Sequence, residues 1–212
     1  MLDLFIKIGY LVLGLNFVVF AMCFSNQGKA FRIFTVYIAV IGVIQIASRV
    51  LSSLGMGNLF LSHFYFIAQF IILSFFYLEL LKEKYQRKII KLALILVLSF
   101  LGIQYAINPK LFFEFNLFEI FITSFSIIIF SAFHFYNMLN EKKEFYYINM
   151  GILLYLFGST ILFLVGNLTV TLSREFTKIP WILNALFYVF YQLFVLFEWK
   201  KSFSKKELGT NL

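Results

Sequence analysis

Seven polar or ionisable side chains in otherwise apolar segments could form a binding site. They are Gln45, Ser48, Arg49, His63, Glu119, Asn167 and Asn184. Arginine and glutamate can pair as opposite charges, histidine can exchange a proton near neutral pH, and amides and hydroxyls add hydrogen bonds. An ionisable group inside a membrane is costly, so it normally faces protein and has a partner. This set of residues predicts a polar ligand pocket, with no metal and no cofactor.

Motifs for catalysis are sparse in this sequence. The chain has two histidines and one cysteine. It contains no Gly-x-Ser-x-Gly nucleophile elbow, no His-Glu-x-x-His metal pair and no phosphate-binding glycine loop. A catalytic site assembled in space from Arg49, His63 and Glu119 stays open as an alternative. The motifs therefore favour a protein that is not an enzyme.

The composition places these residues in a membrane protein. Of 212 residues, 62% are hydrophobic and 13% are charged, whereas soluble domains are roughly half apolar and a quarter charged. Several uncharged runs reach the length of about 20 residues that a helix needs to cross a bilayer. Helices are expected in these runs because each backbone polar group must be satisfied within its own segment, and because the alternating pattern of a membrane barrel is absent.

The hydrophobic runs predict an all-α fold with seven transmembrane helices in a single domain, residues 1–212. The predicted helices cover residues 4–24, 33–54, 59–81, 89–107, 117–139, 148–172 and 181–199. The second and third are separated only by the segment from Gly55 to Asn58, so they are expected to form an antiparallel hairpin with a tight turn. Arg49 lies near the tip of this hairpin.

The formal net charge of +8 is unevenly distributed along the chain. With the N-terminus outside, thirteen lysines and arginines flank the inner side and four flank the outer side, while Arg49 lies inside a helix. Basic loops stay in the cytoplasm. The distribution predicts an external N-terminus and a cytoplasmic C-terminus in a bacterial inner membrane. It also accounts for the basic charge without nucleic-acid binding.

The candidate site residues all lie in the outer half of the predicted helices. Arg49 shares one face of the second helix with Gln45 and Ser48, and Glu119 starts a polar stripe that continues through Thr123. We expect Arg49 to face the interior of the bundle and to pair with Glu119. Considered alone, Glu119 is close enough to a helix end that an interfacial position is the simpler expectation.

Other polar residues are expected to be structural. Four deeper residues should link helices by hydrogen bonds worth roughly 0.6–2 kcal/mol each, namely Asn16, Gln69, Gln104 and Gln192. Glu79 and Glu198 border basic loops and should pair with lysines, and His134 should be interfacial. Gly102 and Ala106 form a small-xxx-small pair that predicts close packing of the fourth helix.

The third and fifth predicted helices open with the same three residues. These are Asn58-Leu59-Phe60 and Asn116-Leu117-Phe118. Asparagine is a common helix cap, so capping is the preferred explanation and an internal repeat is the alternative.

Three stretches carry a resemblance to a known family. They are Asn58-Leu59-Phe60 with His63, Tyr65 and Gln69; Ile148-Asn149 with Gly151, Tyr155 and Gly158; and Trp181-Ile182 with Asn184. From about the second helix onward, the chain resembles an uncharacterised family of small seven-helix membrane proteins common in Bacteroidota. Its relatives more often have Glu in place of Gln69 and Trp in place of Tyr147, so the resemblance implies no intramembrane carboxylate there. It implies the seven-helix fold and no particular activity.

The sequence favours a receptor-like or accessory membrane protein. Its outer pocket would bind a small molecule or a partner, and a cytoplasmic or membrane protein would take up the signal at the inner face. Its environment is the lipid bilayer, and a basic tail starting at Trp199 could contact anionic headgroups. A small transporter or channel component and a lipid-modifying enzyme are the alternatives, and the oligomeric state is left open.

Overall fold

The computed structural model describes residues 1–140, 142–168 and 178–204, and this part of the chain consists of helices joined by short connections, with no strand. The helices are α1 (Leu2–Met22), α2 (Lys29–Ser53), α3 (Phe60–Leu80), α4 (Lys84–Ile107), α5 (Leu117–Asn137), α6 (Tyr146–Leu168) and α7 (Lys178–Glu198). All seven are long and apolar enough to cross a membrane. The predicted all-α fold with seven helices long and apolar enough to span a membrane is therefore confirmed for the described part of the chain.

The helix boundaries differ from the predicted ones mainly on the basic side. α2 begins at Lys29 and α4 at Lys84, whereas hydropathy placed their starts at Ile33 and Ile89. Lysine, arginine and glutamine are good helix formers, so the helices continue past the apolar segment that the hydropathy measures. The end predicted for the sixth helix, Leu172, lies outside the described residues.

The turn between α2 and α3 follows a standard helix-ending motif. Gly55 has a positive φ of 71°. The amide of Met56 donates to the carbonyl of Leu51 at 2.9 Å, and the amide of Gly55 donates to the carbonyl of Ser52 at 3.2 Å. These two bonds form the Schellman arrangement that satisfies the last carbonyls of a helix. The expected hairpin is confirmed by the packing of α2 against α3.

By their internal contacts, the helices group into two units. The central unit comprises residues 28–133, and the terminal unit comprises residues 1–27 together with the chain from residue 134 onward. The single domain predicted for residues 1–212 stays a prediction.

Aromatic side chains fill the core of the central unit. Phe34 on α2 and Phe76 on α3 are fully buried, and their ring centroids lie 5.3 Å apart. Phe70 and Leu73 on α3 are also fully buried. Burial of such large side chains between α2 and α3 explains how a connection of six residues, 54–59, can hold the hairpin closed.

In the terminal unit, glycines allow α7 to pack closely on α1 and α6. A Cβ atom added at Gly151 would lie 3.0 Å from side-chain atoms of Tyr191 and Phe194. A Cβ atom at Gly9 would lie 2.9 Å from the ring of Tyr188. Small residues let helix backbones approach each other in a membrane, where no hydrophobic effect drives the helices together.

The close packing predicted for Gly102 and Ala106 is wrong for the described residues. Nothing lies within 4 Å of a Cβ atom built at Gly102. Ala106 is exposed, as are Ile95 and Ile103 on the same helix. This face of α4 is apolar and uncovered by the described chain, as expected for a helix surface in contact with lipid.

Candidate functional site

A buried pair of ionisable side chains joins α3 to α5 in the central unit. Nδ1 of His63 lies 2.9 Å from Oε2 of Glu119, and the two side chains are only 2% and 0% exposed. His63 is the fourth residue of α3 and Glu119 the third residue of α5. The two helices begin at the same end of the unit, so these side chains meet within about one helical turn of that end.

The expected pairing of Arg49 with Glu119 is wrong. Oε2 of Glu119 contacts His63 and Tyr105, and Oε1 has no hydrogen-bond partner among the described residues. Arg49 is exposed, whereas Glu119 is buried. The environments expected for the two charges are thus reversed, because Arg49 lies on an outward face of α2 and Glu119 points into the unit.

A third side chain, Tyr105 near the end of α4, completes the cluster. Its hydroxyl donates to Oε2 of Glu119 and lies 2.9 Å from Nδ1 of His63. Nδ2 of Asn116 donates to the same hydroxyl at 3.2 Å and to Oε1 of Gln104, also at 3.2 Å. We call these five residues the His63–Glu119 cluster. Their hydrogen bonds connect α3, α4 and α5.

Local sequence fixes the position of Glu119. Oδ1 of Asn116 accepts a hydrogen bond from the Glu119 amide at 3.2 Å, which is the geometry of an N-cap. Thr123 donates to the Glu119 carbonyl at 2.7 Å, and both side chains are buried, so the predicted inward stripe is confirmed. The capping role expected for Asn116 is confirmed as well.

The asparagine that opens α3 has a different role. Nδ2 of Asn58 donates to the carbonyl of Ser48 at 3.0 Å and to its hydroxyl at 2.8 Å. α3 has no side-chain cap bond at its start, so the capping expected for Asn58 is wrong. This asparagine links the hairpin turn to α2, and the Ser48 hydroxyl takes part in this structural contact.

An aromatic residue from the loop between α4 and α5 covers the cluster. The short 3₁₀ helix Pro109–Phe113 brings the ring of Phe112 parallel to that of His63, with centroids 5.4 Å apart and an interplanar angle of 26°. Phe112 also stacks on Phe60, and Tyr105 meets the His63 ring edge-on. Neither Phe112 nor Tyr105 was predicted from the sequence to belong to a site. Available signals were the Asn-x-x-Glu spacing at Asn116 and the polar Gln-Tyr pair ending an apolar helix.

The cluster leaves two buried atoms with hydrogen-bonding capacity. Nε2 of His63 and Oε1 of Glu119 have no partner among the described residues. Since Oε2 is a carboxylate acceptor, the scheme that satisfies the cluster has Nδ1–H of His63 and the Tyr105 hydroxyl donating to it. In the neutral imidazole, Nε2 then carries a lone pair. The two remaining atoms are therefore both acceptors.

The other predicted site residues do not join this cluster through any described contact. Gln45 is half-buried on α2. Asn184 belongs to α7 in the terminal unit, and its buried Oδ1 has no partner among the described residues. Asn167 falls in the last turn of α6, but its side chain lies outside the described part. A ligand-binding role for all seven residues stays a prediction.

The four deeper polar residues that were expected to link helices all form hydrogen bonds. Nδ2 of Asn16 donates to both the carbonyl and Oε1 of Gln192 at 2.9 Å, linking α1 to α7. Nε2 of Gln69 donates to the Tyr37 hydroxyl at 3.0 Å, linking α3 to α2. With the contact between Gln104 and Asn116 given above, all four predicted helix-linking residues form such bonds.

The expectations for the charged residues near the basic loops have mixed outcomes. Glu79 pairs with Lys29 at 3.0 Å, as predicted. Glu198 instead accepts hydrogen bonds from the Tyr147 amide at 2.7 Å and from Ser202 at 2.6 Å, so its pairing with a lysine is wrong. Nε2 of His134 bonds to a backbone carbonyl at 2.9 Å, and its side chain is buried rather than interfacial.

In the described part of the chain, no three His, Cys, Asp or Glu side chains lie close enough together to hold a metal ion. No protein-family model, no curated protein and no solved structure matches the chain. The geometry of the His63–Glu119 cluster is therefore the basis on which a function can be argued.

Proposed function

We propose that the protein is a receptor-like or accessory membrane protein and that the His63–Glu119 cluster binds a small organic amine. The observation that carries this proposal is the pair of buried acceptor atoms, Nε2 of His63 and Oε1 of Glu119, left without a partner among the described residues. A buried polar atom without a partner costs about 1–3 kcal/mol. Such atoms in native proteins call for an explanation, and a functional site is one.

The chemistry of the cluster favours an amine as the ligand. A primary ammonium group has three N–H donors and no acceptor, so it can donate to Oε1 of Glu119. Nε2 of His63 lies on the side of the ring away from the carboxylate and would accept from a second donor of the ligand. The carboxylate supplies the opposite charge. The aromatic rings of Phe112 and Tyr105 flank the imidazole and supply faces that attract cations within about 6 Å. A carboxylic acid would place like charge beside Glu119 and would be rejected.

Binding requires movement of the segment that covers the cluster. Phe112 lies on a five-residue 3₁₀ helix in the loop between α4 and α5, and its ring is half-buried. Loops open at lower free energy than packed helices because fewer buried contacts are lost. Displacement of the Phe112 ring would expose the two acceptors to a ligand. Its return would close an aromatic face over a bound cation.

The basic residues define the proposed orientation. Thirteen of them border one side of the spanning segments and four the other, so we assign the N-terminus to the outside and the C-terminus to the cytoplasm of a bacterial inner membrane. The His63–Glu119 cluster then belongs to the outer half of the central unit. A cytoplasmic or membrane protein would receive the signal at the inner end.

The transport alternative receives less support from the deeper polar residues. A solute path needs polar groups along the full depth of the membrane. In the described residues, Asn16 and Gln69 instead bond to neighbouring helices within their own units. The enzyme alternative would use His63, Glu119 and Tyr105 as acid and base groups, and all three side chains are already bonded to one another.

A thermal-shift screen of the purified full chain tests the proposal. The probes are small primary amines, each compared with the alcohol and carboxylic acid of the same carbon skeleton. At one hundred times its dissociation constant, a ligand stabilises the folded state by about 2.7 kcal/mol. We expect amines to shift the wild-type protein and not Glu119→Gln. Glu114→Gln, which alters an exposed carboxylate in the same loop, serves as the matched control and should respond like the wild type.

Two outcomes would overturn the proposal. One is a screen in which amines shift the protein no more than the matched alcohols and acids. The other is an equal amine response in Glu119→Gln and in the Glu114→Gln control. The orientation is tested separately with reporters that are active only in the cytoplasm. A fusion after Leu212 should be active, and an insertion at Gly57 should be inactive.

A further inference from the structure

The central unit has a second site at the opposite end from the His63–Glu119 cluster. A cleft of about 610 Å³ lies between α2 and α3, near the start of α4. Its volume falls within the range of roughly 300–1,000 Å³ that is common for small-molecule sites. The cleft uses none of the residues of the His63–Glu119 cluster, so ligand binding there does not depend on the function proposed for that cluster.

The cleft has a charged mouth and an apolar interior. Its mouth is lined by Lys29, Arg32, Glu79 and Arg87. Three cations and one anion give this mouth a formal charge of 3 − 1 = +2. Lys29 is also the first residue of α2, so the positive end of that helix dipole lies at the same mouth. The mouth is therefore suited to an anion.

The walls of the cleft are aliphatic and aromatic. They are formed by Ile33, Val36, Ile71, Ile72 and Phe75. Val36 is seven residues along α2 from Lys29 and four from Arg32, so at 1.5 Å per residue the apolar wall extends about 6–10 Å beyond these charges. Val36 and Phe75 are 44% and 51% exposed. The cleft is thus open laterally, at the outer surface of α2 and α3.

Arg87 is fixed in position at the mouth. Its Nη1 donates to the carbonyls of Leu78 and Leu81, the latter at 3.1 Å, so it satisfies carbonyls at the end of α3. A guanidinium group has five N–H donors. Its Nε and Nη2 donors have no acceptor among the described residues. An arginine held in this way is prepared to donate a two-pronged hydrogen bond to a phosphate.

From these observations we infer that the cleft is a binding site for an anionic glycerophospholipid. The headgroup phosphate binds at the mouth to Arg32 and Arg87, and an acyl chain lies along the apolar walls between α2 and α3. The joint presence of a net positive mouth and a long apolar groove open to the side selects a lipid over a soluble phosphate. Clusters of basic residues beside transmembrane helices commonly recognise anionic lipids.

Native mass spectrometry of the full chain released from detergent micelles tests this site. The probes are phosphatidylglycerol and phosphatidylcholine with identical acyl chains, and glycerol phosphate as the headgroup alone. The variants are Arg32→Gln, which removes a cation from the mouth, and Val36→Trp, which obstructs the apolar wall. Lys88→Gln is the matched control, because Lys88 is exposed on the same basic end and does not line the cleft.

We expect one phosphatidylglycerol to bind more tightly than phosphatidylcholine. A basic residue near a membrane surface contributes about 1 kcal/mol to anionic lipid binding, so Arg32→Gln should weaken phosphatidylglycerol binding roughly fivefold. Lys88→Gln should change it less than about twofold. Val36→Trp should weaken both lipids, and glycerol phosphate should not displace the bound lipid. Circular dichroism establishes that each variant is folded.

The inference is overturned if Arg32→Gln and Lys88→Gln bind phosphatidylglycerol equally, or if phosphatidylcholine binds as tightly as phosphatidylglycerol. Displacement by glycerol phosphate would assign the mouth to a soluble anion instead. If Arg32→Gln does not fold, the Val36→Trp variant decides the question. Unchanged lipid binding by that variant would exclude the cleft.

Discussion

Removal of Glu119 tests the central feature of the site, because one carboxylate holds two other side chains. Oε2 of Glu119 accepts from His63 at 2.9 Å and from the Tyr105 hydroxyl. Glu119→Leu deprives both donors of their acceptor within a buried region. His63→Leu leaves the carboxylate buried with one partner fewer. The double variant His63→Leu/Glu119→Leu replaces both members of the pair with apolar side chains.

The expected magnitudes follow from the contacts that each variant loses. A buried donor left unpaired costs about 1–3 kcal/mol, and hydrogen bonds within membranes lie toward the low end of this range. With two donors affected, Glu119→Leu should reduce the free energy of unfolding by about 2–4 kcal/mol. Removing one partner of a buried hydrogen bond costs more than replacing both partners with apolar side chains, because the partner that remains is left unsatisfied. The double variant should therefore cost less than the sum of the single variants, by at least about 1.5 kcal/mol.

Unfolding of the purified protein in mixed micelles, followed by far-ultraviolet circular dichroism, measures these differences. Tryptophan fluorescence is unsuitable, since Trp181 and Trp199 both belong to the terminal unit. A second cycle with Arg49→Leu and Glu119→Leu is the control. The structure joins these two side chains by no ion pair, so their effects should add to within about 0.5 kcal/mol. Additivity in the His63–Glu119 cycle, or coupling in the Arg49–Glu119 cycle, would refute this account of the site.

The same unfolding assay checks three further expectations. Gly151→Ala should destabilise the protein by about 1–3 kcal/mol, because the new Cβ atom would lie 3.0 Å from the Cβ atom of Phe194. Gly102→Ala, which has nothing within 4 Å, should be neutral or stabilising by up to about 1 kcal/mol. Equal effects of the two substitutions on stability would contradict the close packing at Gly151. Phe145 has a φ of 53°, so Phe145→Gly should be about 1 kcal/mol more stable than Phe145→Ala, and the reverse order would argue against strain there. Asn16→Leu should cost about 1–2 kcal/mol through its bonds to α7; no loss would mean that these bonds contribute nothing net.

Properties that depend on the chain locally could be predicted from the sequence. Hydropathy identified seven helices because a span of about 20 apolar residues has few alternatives in a bilayer. The short linker around Gly55 predicted the α2–α3 hairpin, and the asparagine before the fifth helix predicted an N-cap at Asn116. The inward stripe from Glu119 through Thr123 follows from helical periodicity alone. Each of these inferences needs only the geometry of one helix or one turn.

Contacts between helices were harder to predict because they depend on neighbours and on rotation. Gly102 and Ala106 have the spacing of a packing motif, but no described side chain lies against Gly102. The glycines that do admit a close neighbour, Gly9, Gly151 and Gly158, lie against aromatic side chains of α7. Spacing within one helix specifies which residues share a face. It does not specify whether another helix covers that face.

The choice of partner for Glu119 shows how rotation about the helix axis decides a buried contact. Arg49 and His63 both lie within about two turns of the helix ends at the Gly55 turn, so depth alone offers both as partners. Arg49, however, shares its stripe on α2 with Ile46, at i−3, which is 64% exposed, and the adjacent Val50 is 50% exposed. Large apolar side chains beside a charge indicate an outward face, where a long arginine can extend along the surface toward water. A histidine has no such reach, so burial beside a carboxylate is the arrangement that satisfies it.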